Sequence, residues 1–303
     1  MSTSYYHYYK WLVLLLLLHT TSNIAANDIA NHPAWKKLDA AECGESVADR
    51  IIGGKNANLG QFPWIVRLGY KEYDNIDWKC GGALITNSHV VTAAHCVQST
   101  DEVPVVSSIR LGEYDIRTDP DCLRNVCAPK VQDRKIKKIT SHHCFNKPAF
   151  HNDLAVIELE KPVTLNNYVS PICLPRKAEQ LADQLVGDQV VVAGWGTMNM
   201  TTEDRADVLQ VVSMPVVEPA KCDVFGKGYK VAKSDICAGG QSNKDACAGD
   251  SGGPLIKVFD TTEGPKSFLV GIVSFGPTIC GIKKPGVYSS VAYYLKWILD
   301  TIL

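Results

Sequence analysis

Between residues 51 and 290 the hydrophobic positions fall in short runs, many alternating with polar ones, and each run is closed by Gly, Pro, Asn or Asp. The clearest are 64–68, 89–92, 155–159, 189–192, 209–212, 268–273 and 286–288. Short β-branched runs with this punctuation predict an all-β sandwich or barrel. The tail reads differently. Val291, Tyr294, Leu295, Ile298 and Ile302 recur at three- and four-residue spacing, which predicts an amphipathic helix over 291–303 with Ser290 as its N-cap. The chain shows no solenoid-type repeat, no heptads and no low-complexity linker. At the other end, Lys10 precedes an apolar run over 11–18, and small residues follow up to Ala25-Ala26. A bilayer span needs about 20 apolar residues, so residues 1–26 read as a secretory signal peptide rather than a membrane anchor.

Composition narrows the class. The 303 residues are 46% hydrophobic with a formal net charge of −1. That is ordinary for a globular protein with a real core, and it argues against charge-driven binding to nucleic acid or an anionic membrane. The one basic cluster, Arg134, Lys135, Lys137 and Lys138, fits either a solvated loop or edge strand or a polyanion exosite. Eleven cysteines behind a signal peptide imply disulfides made in an oxidising, extracellular compartment. No pair has C-x-x-C spacing, so neither a structural metal nor a cofactor is expected. Spacing alone leaves the connectivity open.

The candidate chemistry centres on Gly249-Asp250-Ser251-Gly252-Gly253-Pro254. A serine hydroxyl among glycines sits on a backbone able to turn tightly and present N–H groups to an oxyanion. Upstream lie Thr92-Ala93-Ala94-His95-Cys96 and Asn152-Asp153-Leu154-Ala155, which supply a base and a carboxylate to orient it. With this order of His95, Asp153 and Ser251, and with Ile51-Ile52-Gly53-Gly54, Gln61-Phe62-Pro63-Trp64, Gly194-Trp195-Gly196 and Pro285-Gly286-Val287-Tyr288, the chain resembles the chymotrypsin/trypsin family of serine endopeptidases from Ile51 to its C-terminus. Asp119-Pro120-Asp121-Cys122 and Cys127-Ala128-Pro129 resemble the arthropod clip-domain cascade proteases, although residues 27–50 are too short and cysteine-poor to hold a clip domain.

The resemblance implies two six-stranded antiparallel β-barrels, at roughly 51–165 and 178–290, with a C-terminal helix and the active cleft between the barrels. It makes Ser251 the nucleophile, His95 the base and Asp153 its orienter, with the N–H groups of Gly249 and Ser251 as oxyanion hole. Asp245 would floor the specificity pocket and select Arg or Lys. Gly276 and Gly286 would line its walls, and Ser274-Phe275-Gly276 would bind extended substrate, with Phe150 bordering the next subsite. Ala246, where many trypsins carry serine, would favour Arg.

Cleavage at Arg50–Ile51 would release an amine that pairs with Asp250. The implied bridges are Cys80–Cys96, Cys222–Cys237, Cys247–Cys280 and Cys43–Cys173. The last would keep residues 27–50 attached after activation. Cys122 and Cys127 flank a short loop and are expected to pair, leaving Cys144 as an inert buried thiol or an intermolecular link. Asn199-Met200-Thr201 is a glycosylation sequon, and Glu113 and Asp115 fit either the start of a calcium loop or a solvated acidic turn. The expected function is a zymogen-derived cascade or venom protease. Its partners would be protein substrates, an upstream activating protease and serpin-type or other inhibitors. The alternatives are a digestive trypsin and a non-catalytic homologue acting as a binding cofactor.

Overall fold

The computed structural model describes residues 28–46, 55–98, 105–177, 180, 185–199, 204–225, 229–241, 249–277 and 283–303. Six strands close the first barrel: β2 (Ile65–Glu72), β3 (Asn75–Leu84), β4 (His89–Thr92), β5 (Val106–Leu111), β8 (Gln132–Ser141) and β9 (Ala155–Leu159). Their spatial order is β2-β3-β4-β9-β8-β5, and β2 pairs back onto β5. The second ring comprises β10 (Gln189–Gly194), β13 (Gln210–Val217), β14 (Asp235–Gly239), β15 (Pro254–Thr261), β16 (Gly264–Phe275) and β17 (Pro285–Ser290). It runs β13-β10-β15-β16-β17-β14, and pairing of β13 with β14 closes it. Closure removes the exposed strand edges of an open sheet.

Each barrel is filled by the inward set of its alternating strands. Val66, Leu68, Ile109, Leu111 and Ile157 are buried in the first. Val190, Val192, Met214, Leu255 and Val270 fill the second. Outside the rings lie the ribbon of β6 (Cys122–Leu123) and β7 (Val126–Cys127), a second ribbon of β11 (Thr197–Asn199) and β12 (Asp204–Arg205), and a 3-10 helix over Pro219–Phe225. The C-terminal helix spans Leu295–Ile302.

Three local expectations change. The two-residue strand β1 (Lys55–Asn56) pairs with Val211 and Gln210 of β13, so these two residues join the second barrel rather than the first. The helix begins after a turn over 291–294, because Ser290 Oγ accepts the Tyr293 N–H at 3.3 Å and its carbonyl takes Tyr294 N–H at 3.2 Å. Ser290 therefore caps that turn, and Tyr294 stands at the helix N-cap without a side-chain bond to the helix backbone. The basic cluster lies on β8, paired on both sides by β5 and β9, so it is neither loop nor edge.

The segment before Ile51 is docked on the body. Its short helix α1 (Trp35–Leu38) buries Trp35 and Leu38 in the first barrel's cluster, together with Ile298, Leu299 and Ile302 of the C-terminal helix, here α2. Arg176 stacks on the Trp35 ring at 4.4 Å, and Lys37 Nζ donates to the Ile302 and Leu303 carbonyls at 2.7 and 2.6 Å. Gly44 accepts the Ser267 N–H at 2.9 Å with φ +71°. A Cβ there would sit 2.4 Å from the Ser267 carbonyl, so only glycine fits. The Cys43–Cys173 bridge fastens the same place. No helix among the described residues is long and apolar enough to cross a membrane.

Candidate active site

Strand register brings His95 and Asp153 together. Antiparallel β4 and β9 pair Thr92 with Ala155, so the residues just past the end of β4 meet those just before β9. Asp153 Oδ1 accepts the His95 backbone N–H at 2.9 Å, and Oδ2 receives His95 Nδ1 at 2.7 Å. Ser274 Oγ gives the carboxylate its third bond, donating to Oδ2 at 2.6 Å, and Ser289 Oγ donates to the Asp153 carbonyl at 2.8 Å. Both serines come from the second barrel, so the carboxylate also locks the barrels together. Asp153 is 4% exposed. Burial alone would push its pKa up, but the bonds from His95 and Ser274 and the His95 charge outweigh it and hold the carboxyl below its ordinary range. With Nδ1 committed to the carboxylate, Nε2 is the nitrogen left to exchange protons.

The Ser251 loop is placed by backbone. It directly precedes β15, whose Pro254 pairs with Ile272 of β16. Gly252 N–H donates to Val273 at 2.9 Å, Gly253 N–H to Asp250 at 2.9 Å, and Gly81 N–H to the Ser251 carbonyl at 2.8 Å. Gly249 and Gly252 take φ of +101° and +76°. A Cβ on Gly252 would fall 2.3 Å from Thr92 Oγ1 and 2.6 Å from the Gly81 carbonyl. The loop thus lies flat against the segment that ends in His95, beside the Cys80–Cys96 bridge. Pairing of β10 with β15 sets Gly194-Trp195-Gly196 alongside Asp250. Gly196 N–H donates to Asp250 Oδ1 at 2.9 Å, and a Cβ at Gly194 or Gly196 would be 2.1 or 2.4 Å from that carboxylate. Both glycines are therefore required by the way Asp250 turns inward. Next to it is a small cavity walled by Arg67, Trp78 and Arg205. Arg67 lies near the rings of Trp78 and Trp195, at 5.5 and 5.2 Å. Burial pushes its pKa down to about 10, opposed by Glu113.

A wall of aromatic rings flanks this centre. Phe275 ends β16 and meets Phe150, Phe225 and Tyr229 at 5.5, 5.3 and 4.9 Å between ring centres. Phe150 has φ +69° and is 53% exposed, so it projects at the rim. Gly276 and Gly286 face each other, with 3.9 Å between a Cβ built on the first and the Cα of the second. Beneath the wall, Tyr229 OH donates to Asp235 Oδ2 at 2.7 Å and its ring stacks on His151 at 5.2 Å. His151 Nδ1 lies 3.3 Å from the same carboxylate but out of line for a hydrogen bond.

Several expected positions lie outside the described residues: the signal peptide, Arg50, Ile51, Asp245, Ala246, Cys247, Cys280, and Met200 and Thr201 of the sequon. Asn199 ends β11. The Cys43–Cys173, Cys80–Cys96, Cys122–Cys127 and Cys222–Cys237 bridges are present, and Cys144 is a free, half-buried thiol. Glu113 is buried and faces Arg110 and Arg67 at 3.4 and 3.9 Å. Asp115 pairs with Arg117, while Asp121 accepts the Tyr114 and Asp115 N–H groups at 2.8 and 3.1 Å. Guanidinium and backbone N–H groups thus answer the acids of this loop. Sequence reading missed the Ser274 hydroxyl as a partner of Asp153; only the tertiary pairing of the barrels reveals it.

Known proteins resemble the chain over most of its length. A family profile described as Trypsin matches residues 51–298. Phenoloxidase-activating factor 3 of Holotrichia diomphalia is 39% identical over 275 residues, covering 87% of this chain and 76% of that protein. The Spaetzle-processing enzyme of Drosophila melanogaster is 38% identical over 318 residues, covering 95% and 77%. Among solved structures, the Drosophila Grass clip serine protease of the Toll pathway superposes with a TM-score of 0.79 at 32% identity, covering 90% of this chain and 78% of that one.

Proposed function

Because the chain belongs to the trypsin family of serine endopeptidases, we propose that it hydrolyses protein substrates after Arg or Lys through Ser251, His95 and Asp153. The observation that carries this reading is the doubly bonded His95–Asp153 pair, braced by Ser274 across the barrel junction and flanked by the Ser251 loop. His95 takes the Ser251 proton as the hydroxyl attacks the scissile carbonyl and gives it to the leaving amine. Asp153 holds the tautomer and stabilises the imidazolium. Backbone N–H groups of Gly249 and Ser251 receive the oxyanion, and losing one such donor costs about 10²–10³ in turnover. As the pocket carboxylate, Asp245 would give a substrate cation its partner and penalise an apolar side chain. Gly276 and Gly286 leave the width a long basic group needs.

The protein is made as a zymogen with residues 1–26 as secretory signal, 27–50 as pro-segment and 51–303 as protease. Cleavage at Arg50–Ile51 frees an α-amino group that pairs with Asp250 next to Gly194 and Gly196. The docking of Trp35 and Lys37 and the Cys43–Cys173 bridge support a pro-segment that stays attached after the cut. That arrangement suits a regulated extracellular cascade, as do relatives named for activating phenoloxidase and processing Spaetzle. An upstream trypsin-like protease would activate the chain, serpin-type inhibitors would restrain it, and Asn199 would carry a glycan.

The test compares matched Arg, Lys and Phe amide substrates before and after limited tryptic cleavage, with Ser251→Ala protein carried through identically. Cleavage-dependent hydrolysis of the Arg and Lys substrates, absent in the variant, is the expected result. Preference for Phe would reject Asp245 as the pocket floor. Silence after verified cutting at Arg50–Ile51 would reject the enzyme reading of these residues.

A further inference from the structure

A second cluster of reactive side chains lies outside this centre. His142, His143 and Cys144 follow β8 on a tight turn, and one ligand-capable atom from each lies within 4.8 Å of the other two. The turn is held from both ends. His142 N–H donates to Leu154 at 2.9 Å, Phe145 N–H to the His142 carbonyl at 2.8 Å, and Lys147 N–H to the Cys144 carbonyl at 2.9 Å. The His142 ring is clamped between Tyr294 and Trp297 at 5.2 Å each and stacks on His143 at 4.6 Å. His143 is exposed, and His142 and Cys144 are half-buried, so solvent reaches the group. Cys144 is the one free thiol among the described residues.

We propose that His142, His143 and Cys144 form a binding site for a soft divalent metal ion of the zinc class, with a fourth position open to water. Two imidazoles and one thiolate are the donors zinc favours. Tetrahedral zinc bond lengths put such donors ~3.3–3.8 Å apart, which the exposed His143 reaches by turning about its side-chain bonds. The thiol gives up its proton to solvent on binding. The His142 Nδ1 lone pair already points at the turn, where it accepts the Cys144 N–H at a long 3.3 Å; a metal would replace that weak donor.

The site reaches the residues beside Asp153. Cys144 and Lys147 carbonyls receive Asn152 Nδ2 at 3.1 and 3.0 Å, and Asn152 Oδ1 accepts Tyr294 OH at 3.0 Å. A metal that tightens the 142–144 turn therefore acts on the loop from Phe150 to Asp153.

The test uses the full chain carrying Ser251→Ala, so that binding is read without self-cleavage and independently of the proposed catalysis. Chelator-treated protein is titrated with cobalt(II). One equivalent should develop a thiolate-to-cobalt charge-transfer band that zinc abolishes. Cys144→Ser should lose the band, and so should His143→Gln, a change at an exposed position that leaves the fold intact. No band, or a band retained in Cys144→Ser, overturns the site. So does a Cys144-dependent disulfide dimer in the purified protein. In cleaved wild-type enzyme, saturating zinc should lower kcat/KM severalfold while Cys144→Ser is unaffected. An equal fall in both would overturn the link to Asp153.

Discussion

The two arms of the cleft are built on opposite principles. The first-barrel arm is specified by side chains: His95 and Asp153 are bound to each other twice, and Ser274 and Ser289 clamp the aspartate from the second barrel. The second-barrel arm is specified by missing side chains. Gly194, Gly196 and Gly252 leave no room for a Cβ, and the Ser251 loop is held by main-chain bonds to Gly81 and Val273. The difference has a physical reason. A carboxylate and an imidazole must keep fixed donors and acceptors, which side-chain bonds to a rigid barrel supply. A nucleophile that needs N–H groups around it requires a backbone that turns sharply. Removing a catalytic side chain should therefore cost chemistry before stability, whereas adding a side chain to the glycines of the second arm should cost both together.

Ser251→Ala should give the largest effect, a fall in kcat on the order of 10⁶, with thermal unfolding unchanged because only a hydroxyl is removed. Asp153→Asn follows at about 10⁴, since the amide favours the wrong imidazole tautomer. Both are read as kcat on an Arg amide substrate after activation, beside a calorimetric scan. Comparable activity losses accompanied by collapse of the fold would contradict the division between the arms.

Gly252→Ala tests the other side. Its φ of +76° and the 2.6 Å approach to the Gly81 carbonyl leave an alanine no relaxed position. Backbone strain costs about 1–2 kcal/mol and the collision about 1–3 kcal/mol more. The shifted Ser251 N–H should lower kcat by about 10²–10³. Unlike Asp153→Asn, this variant should also melt several degrees lower. A normal melting temperature with full activity would show that the loop tolerates a side chain.

Activation adds a pH signature to the glycine-built arm. An α-amino group titrates near 7.7–8.0 when free, and pairing with Asp250 should raise that value. Its contribution is present below the free value and lost as pH rises through the raised one. The cleaved enzyme should lose activity reversibly on the alkaline side. A flat profile to strongly alkaline pH would remove the Asp250 pairing.

Much of the scaffold was legible because short apolar runs closed by turn residues mark strands directly: 89–92 and 155–159 coincide with β4 and β9 and are buried almost throughout. Strand β3 was not legible. Its outward half carries Asn75, Asp77 and Lys79, while Gly82 sits where a Cβ would crowd Val66 and Val90 at 2.9 Å. The hydrophobic signal is thus absent where packing is tightest. Charges misled in a second way. Lys135 and Lys137 look like a loop in sequence but decorate the outside of β8, where Lys137 pairs with Glu158. Glu113 was weighed as a calcium ligand because its acidic neighbours are sequence-local, whereas Arg67 is remote in the chain. Residue type and order were enough to nominate His95, Asp153 and Ser251, and the register of β4 and β9 brings the first two into contact. A role for the Ser274 hydroxyl depends on two barrels meeting, which no local pattern records.

That hydroxyl gives the smallest and most discriminating effect. Ser274→Ala removes one bond to a buried carboxylate, where bonds to charged groups contribute about 1.5–3 kcal/mol, so kcat should fall roughly 10- to 100-fold. The His95 bonds remain, which keeps the loss well short of that from Asp153→Asn. The titration moves in a defined direction. Asp153 is held below its ordinary range partly by Ser274, so losing the donor raises its pKa. A depressed carboxyl stabilises the fold above its unfolded value, about 3.9, and that contribution fades as pH falls through the folded value. With less depression in the variant, part of that contribution is missing at neutral pH, so the fold should melt lower there and acid unfolding should set in at higher pH. If instead kcat is unchanged and only stability falls, Ser274 is a barrel fastener, and the base arm ends at the His95–Asp153 pair.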